Sequence, residues 1–122
     1  PSLNGMASAS ARASAVDKLV RALEHHNPHI EHYARSYLRH IAALVEGEVF
    51  AGRGGALAPY RERIRSLAFN LGRNQHLQAA VCRRALRAPE LCAMSALELA
   101  TDEERAQRKL AAAEHVRRAT RN

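Results

Sequence analysis

Four histidines close together in the sequence are the residues of this chain best suited to bind a metal. Zinc needs three or four ligands that converge in a tetrahedron. Pro28 separates the histidines into two pairs, and no carboxylate or cysteine joins them at a useful spacing. We therefore interpret them as surface residues around a turn between two helices, and we expect no metal or other cofactor. They are His25, His26, His29 and His32.

A glycine-rich segment, Gly52-Arg-Gly-Gly55, has the backbone freedom to wrap around a phosphate. A P-loop also needs a preceding strand, a Gly-Lys-Ser/Thr sequence and a helix that starts directly after it. The sequence does not combine these features here, so we interpret this segment as a flexible connection.

Asp102 and Glu103 are adjacent acids of the kind that act in acid–base catalysis or bind magnesium. They lie in the first turn of a predicted helix, where acidic side chains interact favourably with the helix macrodipole. Ser66 and Ser95 have helix and cap positions, and neither resembles a nucleophile beside a base. We therefore expect no enzyme activity.

The size and composition of the chain indicate one helical domain. A chain of 122 residues fits a single domain, which buries roughly two-thirds of the surface that its unfolded form exposes. Apolar residues make up 47%, and tryptophan is absent, so the core must consist mainly of Leu, Val, Ile and Ala. Such a core is typical of packed helices.

Cys82 and Cys92 stand ten residues apart and form no Cys-x-x-Cys pair. We expect both to be reduced and buried, as in a protein of the cytosol or nucleus. No apolar run approaches the roughly 20 residues of a membrane span, and the first residues lack the apolar middle of a signal peptide. We expect no membrane contact. Residues 1–13 read as a flexible lead of a fragment without its initiator Met, and residues 120–122 as the start of a linker or tail.

Residues 14–119 show helical periodicity, with no internal repeat and no alternating strand pattern. They predict an all-α bundle of three longer helices with additional short helices. On the second helix, Arg35, Arg39 and Glu46 lie opposite an apolar stripe, so we expect that side to be exposed. The predicted ranges begin with capping sequences at 14, 95 and 101 and are 14–23, 30–50, 60–71, 77–87, 89–92, 95–100 and 101–119.

The helix predicted at 60–71 carries an apolar stripe together with clustered cations. Arg61 and Arg65 lie one turn apart beside the stripe, and Arg63 lies on its other flank. These arginines repel one another, which favours an acidic partner. Phe69 projects away from the stripe, so either a second helix covers it or it joins the arginines in a contact. The stripe consists of Tyr60, Ile64, Leu67 and Leu71.

The net charge of +7 favours binding to a polyanion, which could be nucleic acid, an acidic protein or an anionic membrane. Arg73 extends the cations of the 60–71 helix. Two further cationic groups are present, and we interpret the last as solvated surface. They are Arg83, Arg84 and Arg87, and Arg105, Arg108, Lys109, Arg117, Arg118 and Arg121.

The block from Tyr60 to Leu71, YRERIRSLAFNL, resembles the central domain of transcription elongation factor TFIIS. That family reads Tyr, then basic residues, Arg-Ser-Leu, two residues and Asn-Leu. The segments Pro89-Glu-Leu91, Met94-Ser95 and Glu98-Leu-Ala100 follow the family's pattern in the same order. After the block, residues 72–76 predict a break between helices that is shorter than the family's Lys-Asp-x-x-Asn-x-x-Leu.

The resemblance implies a helical bundle that docks on RNA polymerase II in the nucleus, near the jaw and funnel of the largest subunit. In full elongation factors a zinc ribbon with an acidic pair stimulates RNA cleavage, and this chain has no cysteine quartet for a ribbon. The resemblance therefore implies docking without catalysis, and we expect a monomer. The positions that match the family's basic contact residues are Arg65 and Arg73. We predict the polymerase-binding residues to be Arg61, Arg63, Arg65, Arg73 and Asn74.

Alternative functions stay open at this point. The net charge favours a basic helical domain that binds nucleic acid, at least weakly, although no recognition-helix motif is present and few aromatics offer stacking. The same domain also occurs in chromatin-associated regulators that bind polymerase without stimulating cleavage. A plain helical scaffold for another protein's helix is a third option.

Overall fold

Seven α-helices and one 3-10 turn make up the part of the chain that this computed structural model describes, residues 5–25, 27–53 and 55–119. Three long helices, α1, α2 and α3, pack together as a bundle, and α4, α5 and α6 pack onto it. The predicted all-α bundle is confirmed. The helices are α1 Ala9–Glu24, α2 Arg35–Gly52, α3 Leu57–Arg73, α4 Gln75–Cys82, α5 Ala88–Ala93, α6 Ala96–Leu99 and α7 Asp102–Ala119, with the turn at Pro28–Ile30.

Helix α1 begins at Ala9, so the predicted start at Ser14 is wrong. Ser8 caps the helix, because its hydroxyl accepts a hydrogen bond from a backbone N–H of the first turn at 3.1 Å. The alanine-rich sequence that follows has high helix propensity and continues the helix without interruption. Residues 9–13 of the predicted lead are therefore helical, and residues 1–4 lie outside the described residues.

Two other helix boundaries differ from the prediction for backbone reasons. Helix α2 begins at Arg35, because Pro28 opens a 3-10 turn that ends at Ile30, whose side chain is buried. Helix α4 stops at Cys82, short of its predicted end. Arg84, two residues later, has a φ of 63°, a left-handed conformation that cannot continue an α-helix.

The break predicted at 72–76 is a single residue. Helix α3 continues through Arg73, and α4 begins at Gln75, so only Asn74 lies between the two helices. The short connection fixes the direction of α4 relative to the end of α3.

The predicted core face of α3 is confirmed. Its stripe packs against α1 and α2, with Tyr60, Ile64, Leu67 and Leu71 exposed by no more than 4%. Leu19 and Leu23 of α1 are buried in the same cluster. Because one side of α3 is committed to the core, the side that carries Arg61, Arg65 and Phe69 is left for solvent or a partner. None of the described helices has the length and apolar character needed to span a membrane.

Glu46 is buried at 5% exposure, so the prediction that it lies on the exposed face of α2 is wrong. Arg12 of α1 donates two hydrogen bonds to its carboxylate, at 2.8 and 3.0 Å. The hydroxyl of Tyr60 donates a third, at 2.8 Å. The Arg12 guanidinium also lies 3.7 Å from the centre of the Phe50 ring. This cluster joins the first three helices, and its carboxylate is buried because its partners replace water.

Gln78 ties the end of α1 to α4. Its side-chain amide donates hydrogen bonds to the carbonyls of Ala22 and His25, at 2.9 and 3.1 Å. Its amide oxygen accepts a hydrogen bond from the Asn27 side chain at 2.8 Å. The last carbonyls of an α-helix have no partner within the helix, so a buried glutamine that supplies one stabilises the helix end.

The thiols of Cys82 and Cys92 are free, and Cys82 is completely buried whereas Cys92 is half-buried. Burial raises the pKa of each thiol to about 11, because the thiolate loses its hydration. We expect iodoacetamide to alkylate both about 100-fold more slowly than a free cysteine at about pH 8, since only the thiolate reacts. Mass spectrometry would follow the reaction, with protein in guanidinium chloride as the control. Rapid alkylation of the native chain would contradict the buried placement of these thiols.

Candidate functional site

A groove lined by cations runs between α1 and α3, and we call it the basic groove. It has two halves, of about 510 and 590 Å³, which are adjacent because Lys18 and Arg65 line both. No acidic residue lines either half among the residues that the structure describes. The residues that line the polar half include Ser8, Ser10, Ser14, Lys18, Arg61 and Arg65, and those that line the apolar half are Lys18, Arg21, Ala22, His25, Arg65, Ala68, Phe69, Gly72 and Arg73.

Arg61 and Arg65 carry the charge on the α3 side of the groove. Both are exposed and lie one helical turn apart. Within the described part of the chain, no ion pair joins either arginine to an acid. Like charges at this spacing repel by a few tenths of a kcal/mol, roughly 0.2–0.5, so an anion placed between them is favoured.

Phe69 and Arg73 lie in the apolar half. The Phe69 ring is 58% exposed, and the Arg73 guanidinium stacks over it, 4.6 Å from its centre. Of the two alternatives that the sequence allowed for Phe69, cover by a second helix or exposure beside the arginines, the structure shows exposure. Arg73 also forms an ion pair with Glu104 in the first turns of α7, so part of its charge is compensated within the chain.

Arg63 lies outside the groove and holds the fold together. Its guanidinium donates hydrogen bonds to the carbonyls of Cys92 and Met94, at 2.8 and 2.7 Å. These bonds fasten the end of α5 to α3. Its side chain is committed to the chain's own backbone, so we leave Arg63 out of the surface proposed below.

Asn74 is buried at 7% exposure and also has a structural role. Its side-chain oxygen caps α4 by accepting a hydrogen bond from the N–H of Leu77 at 3.1 Å. Its side-chain nitrogen donates to the carbonyl of Leu99 at 3.1 Å. The signal for this role is an asparagine directly before a helix, and the predicted helix start at Leu77 is too late to reveal it. We leave Asn74 out of the proposed surface as well.

Lys18 and Arg21 line the groove but are not among the site residues predicted from the sequence. They lie on one face of α1, about 40 residues before the arginines of α3 in the chain. Only the packing of α1 against α3 brings the two sets together. Lys18 and Arg21 are three residues apart, which places both on one face of α1. That spacing predicts a cationic face on α1, but it does not predict that α3 packs beside this face.

Of the other predicted features, His25 lines the apolar half of the groove, and the acidic pair and those of the further cations that the structure describes do not line it. Asp102 and Glu103 are exposed in the first turn of α7, as their interpretation as helix-start residues requires. The histidines do not assemble a metal site within the described residues, although His26 and the His29 side chain fall outside them. Of the further cations, Arg83, Arg84, Arg87, Arg108 and Lys109 are exposed. Arg121 and the side chains of Arg105, Arg117 and Arg118 are likewise not described.

The fold and the groove together define a small all-helical domain with a basic face, a buried polar cluster and a connection of one residue after its third helix. The sequence profile of the central domain of transcription factor S-II (TFIIS) matches residues 7–119, so the chain belongs to this family. The resemblance seen in the Tyr60–Leu71 block is thereby confirmed.

A curated relative supports the same assignment. Transcription elongation factor A protein 1 of Dictyostelium discoideum is 30% identical to this chain over 69 residues. The matched segment is 57% of this chain and 22% of that protein. The match therefore spans less than a quarter of the relative's length.

Proposed function

We propose that this chain is a docking module that binds RNA polymerase II in the nucleus through the basic groove and performs no reaction itself. The observation that carries the proposal is the convergence of Arg61 and Arg65 from α3 with Lys18 and Arg21 from α1. Family membership and the name of the Dictyostelium relative support a role in transcription elongation. The jaw and funnel region of the largest polymerase subunit is the proposed docking area, with the domain bound as a monomer.

Charge complementarity explains how such a module works. Cations held on rigid helices attract an acidic surface over a distance, which raises the association rate and orients the two partners. The groove is built on α1 and α3, which pack against each other, so the backbone positions that carry its cations keep a fixed spacing. A parent protein of either kind, an elongation factor or a chromatin-associated regulator, would use the same groove.

Nucleic acid is the second candidate partner, because the net charge of +7 and the groove would also attract phosphates. We expect the chain to bind purified RNA polymerase II at physiological salt. We expect binding to duplex or single-stranded DNA to fall steeply as salt rises, because it depends on the release of counterions. Fluorescence anisotropy over a salt series would measure both. Nucleic-acid binding that stays tight above physiological salt, with no polymerase binding, would reverse the assignment.

A further inference from the structure

The two halves of the basic groove differ in chemistry. The polar half combines the hydroxyls of Ser10 and Ser14 with Lys18, Arg61 and Arg65. The apolar half exposes mainly carbon and is lined by Ala22, Ala68, Phe69 and Gly72, beside the cations Lys18, Arg21, Arg65 and Arg73. A ligand that matches both halves must be acidic at one end and apolar at the other.

Phe69 is an exposed apolar side chain in a cationic groove, and the attraction of an acidic partner to the cations does not account for it. Phe69 is 58% exposed and lines the apolar half together with Ala22 and Ala68, so a partner that covers it would remove apolar surface from water. The Arg73 guanidinium covers one face of the ring and leaves the rest available. Aromatic side chains and arginines are both enriched in protein–protein interfaces.

The spacing along α3 sets the dimensions of the ligand. Arg61 and Phe69 are eight residues apart on one helix, which at 1.5 Å per residue is about 12 Å. An extended peptide covers that distance in about four residues. The acidic and apolar groups of the partner must therefore lie within one short segment.

We propose that the basic groove binds an acidic polypeptide segment that carries a large apolar side chain about four extended residues from its carboxylates. The carboxylates lie over Arg61, Arg65 and Lys18, and the apolar side chain packs on Phe69 and Ala68. This inference rests on the proposed function and names the chemistry of the polymerase surface that the groove would recognise.

The groove suits a polypeptide better than a nucleic acid. Proteins that bind single strands stack successive bases on several aromatic side chains. Among the described residues, Phe69 and His25 carry the only aromatic rings that line the apolar half, and Arg73 already lies over one face of the Phe69 ring. A single base stacked on Phe69 would leave the carbon surface of Ala22, Ala68 and Gly72 uncovered.

Phe69→Ala tests the inference, with Leu97→Ala on α6 as the matched control. Leu97 is also an exposed apolar side chain, at 50%, and lies outside the groove. We expect Phe69→Ala to weaken binding to purified RNA polymerase II about tenfold, with the dependence on salt unchanged, because no charge is removed. We expect Leu97→Ala to bind as the parent chain does. Circular dichroism would verify that both variants are folded.

Two synthetic peptides separate this inference from the proposed function. One carries a run of glutamates followed, about four residues later, by phenylalanine, and the other has serine in place of that phenylalanine. We expect the parent chain to prefer the phenylalanine peptide and Phe69→Ala to lose the preference.

Polymerase binding that is unchanged in Phe69→Ala would overturn the inference and leave the proposed function standing. If the parent chain does not bind polymerase, the proposed function fails, and the peptide pair decides the inference alone. Equal affinity for the two peptides would then reject it. Binding of oligothymidylate that is tighter than that of either peptide and is lost in Phe69→Ala would also overturn it in favour of a base-stacking site.

Discussion

Replacing Arg61 and Arg65 together with glutamate is expected to weaken binding to RNA polymerase II by at least about 100-fold. Each substitution removes a cation from the polar half of the groove and places an acid there. Like charges opposed across an interface cost several kcal/mol, and about 1.4 kcal/mol corresponds to each tenfold in affinity. The affinity that remains should depend less on salt than that of the parent chain. Titration against purified polymerase at two salt concentrations would measure both effects.

The matched control is the double variant Arg83→Glu and Arg87→Glu, which changes the net charge by the same amount. Both arginines are exposed and follow α4, away from the groove. If affinity depended only on net charge, the two double variants would weaken binding equally. Equal loss in both would reject the basic groove as the docking surface, and only loss confined to the α3 variant supports it.

Glu46→Ala is expected to lower the free energy of unfolding by about 2–4 kcal/mol. Glu46 accepts hydrogen bonds from Arg12 and from the Tyr60 hydroxyl, and it is the acid that compensates the Arg12 charge. Its removal leaves the buried phenol without this acceptor and the guanidinium without its counter-ion. We set the expected loss below that for a fully buried ion pair, because the Arg12 side chain is 37% exposed. Urea denaturation followed by circular dichroism would measure it.

Glu48→Ala is the control for that experiment, because Glu48 lies on the same helix and is exposed. It should change the free energy of unfolding by no more than about 0.5 kcal/mol. Equal stability of the two variants would show that the buried cluster contributes nothing to the free energy of unfolding.

Tyr60 also lines the polar half of the groove, so Glu46→Ala should disturb the site as well as the fold.

The core face of α3 could be predicted from sequence, because helical periodicity is a local property. Tyr60, Ile64, Leu67 and Leu71 recur at a spacing that only a helix brings to one side, and all four are buried. The same block carries the family pattern. Exposure of Arg61 and Arg65 followed from the same helical geometry, since they lie beside the stripe.

Roles that depend on distant parts of the chain could not be predicted. Glu46 has the position of an exposed acid on α2, and its burial is favourable only because Arg12, 34 residues earlier, and Tyr60, 14 residues later, donate hydrogen bonds to it. Arg63 is one of three similar arginines in sequence, yet carbonyls of the α5–α6 segment give it a structural role. Lys18 joins the groove only because α1 packs beside α3. Periodicity reports which side of a helix is polar, but not what lies opposite.

The connection between α3 and α4 is a single residue, Asn74, and it limits the conformational entropy that the groove loses when a partner binds. Asn74 caps α4 and is fastened to the Leu99 carbonyl, so the end of α3 that carries Phe69 and Arg73 has little freedom to fray. The backbone of the site is then already ordered before a partner arrives. The conformational entropy lost on binding falls mainly on the long arginine and lysine side chains, at about 0.5–1.5 kcal/mol for each one immobilised. The backbone of the site is already ordered, so the entropy cost depends on how many arginine and lysine side chains the partner immobilises. A partner that immobilises few of them is therefore favoured over one that immobilises all of them.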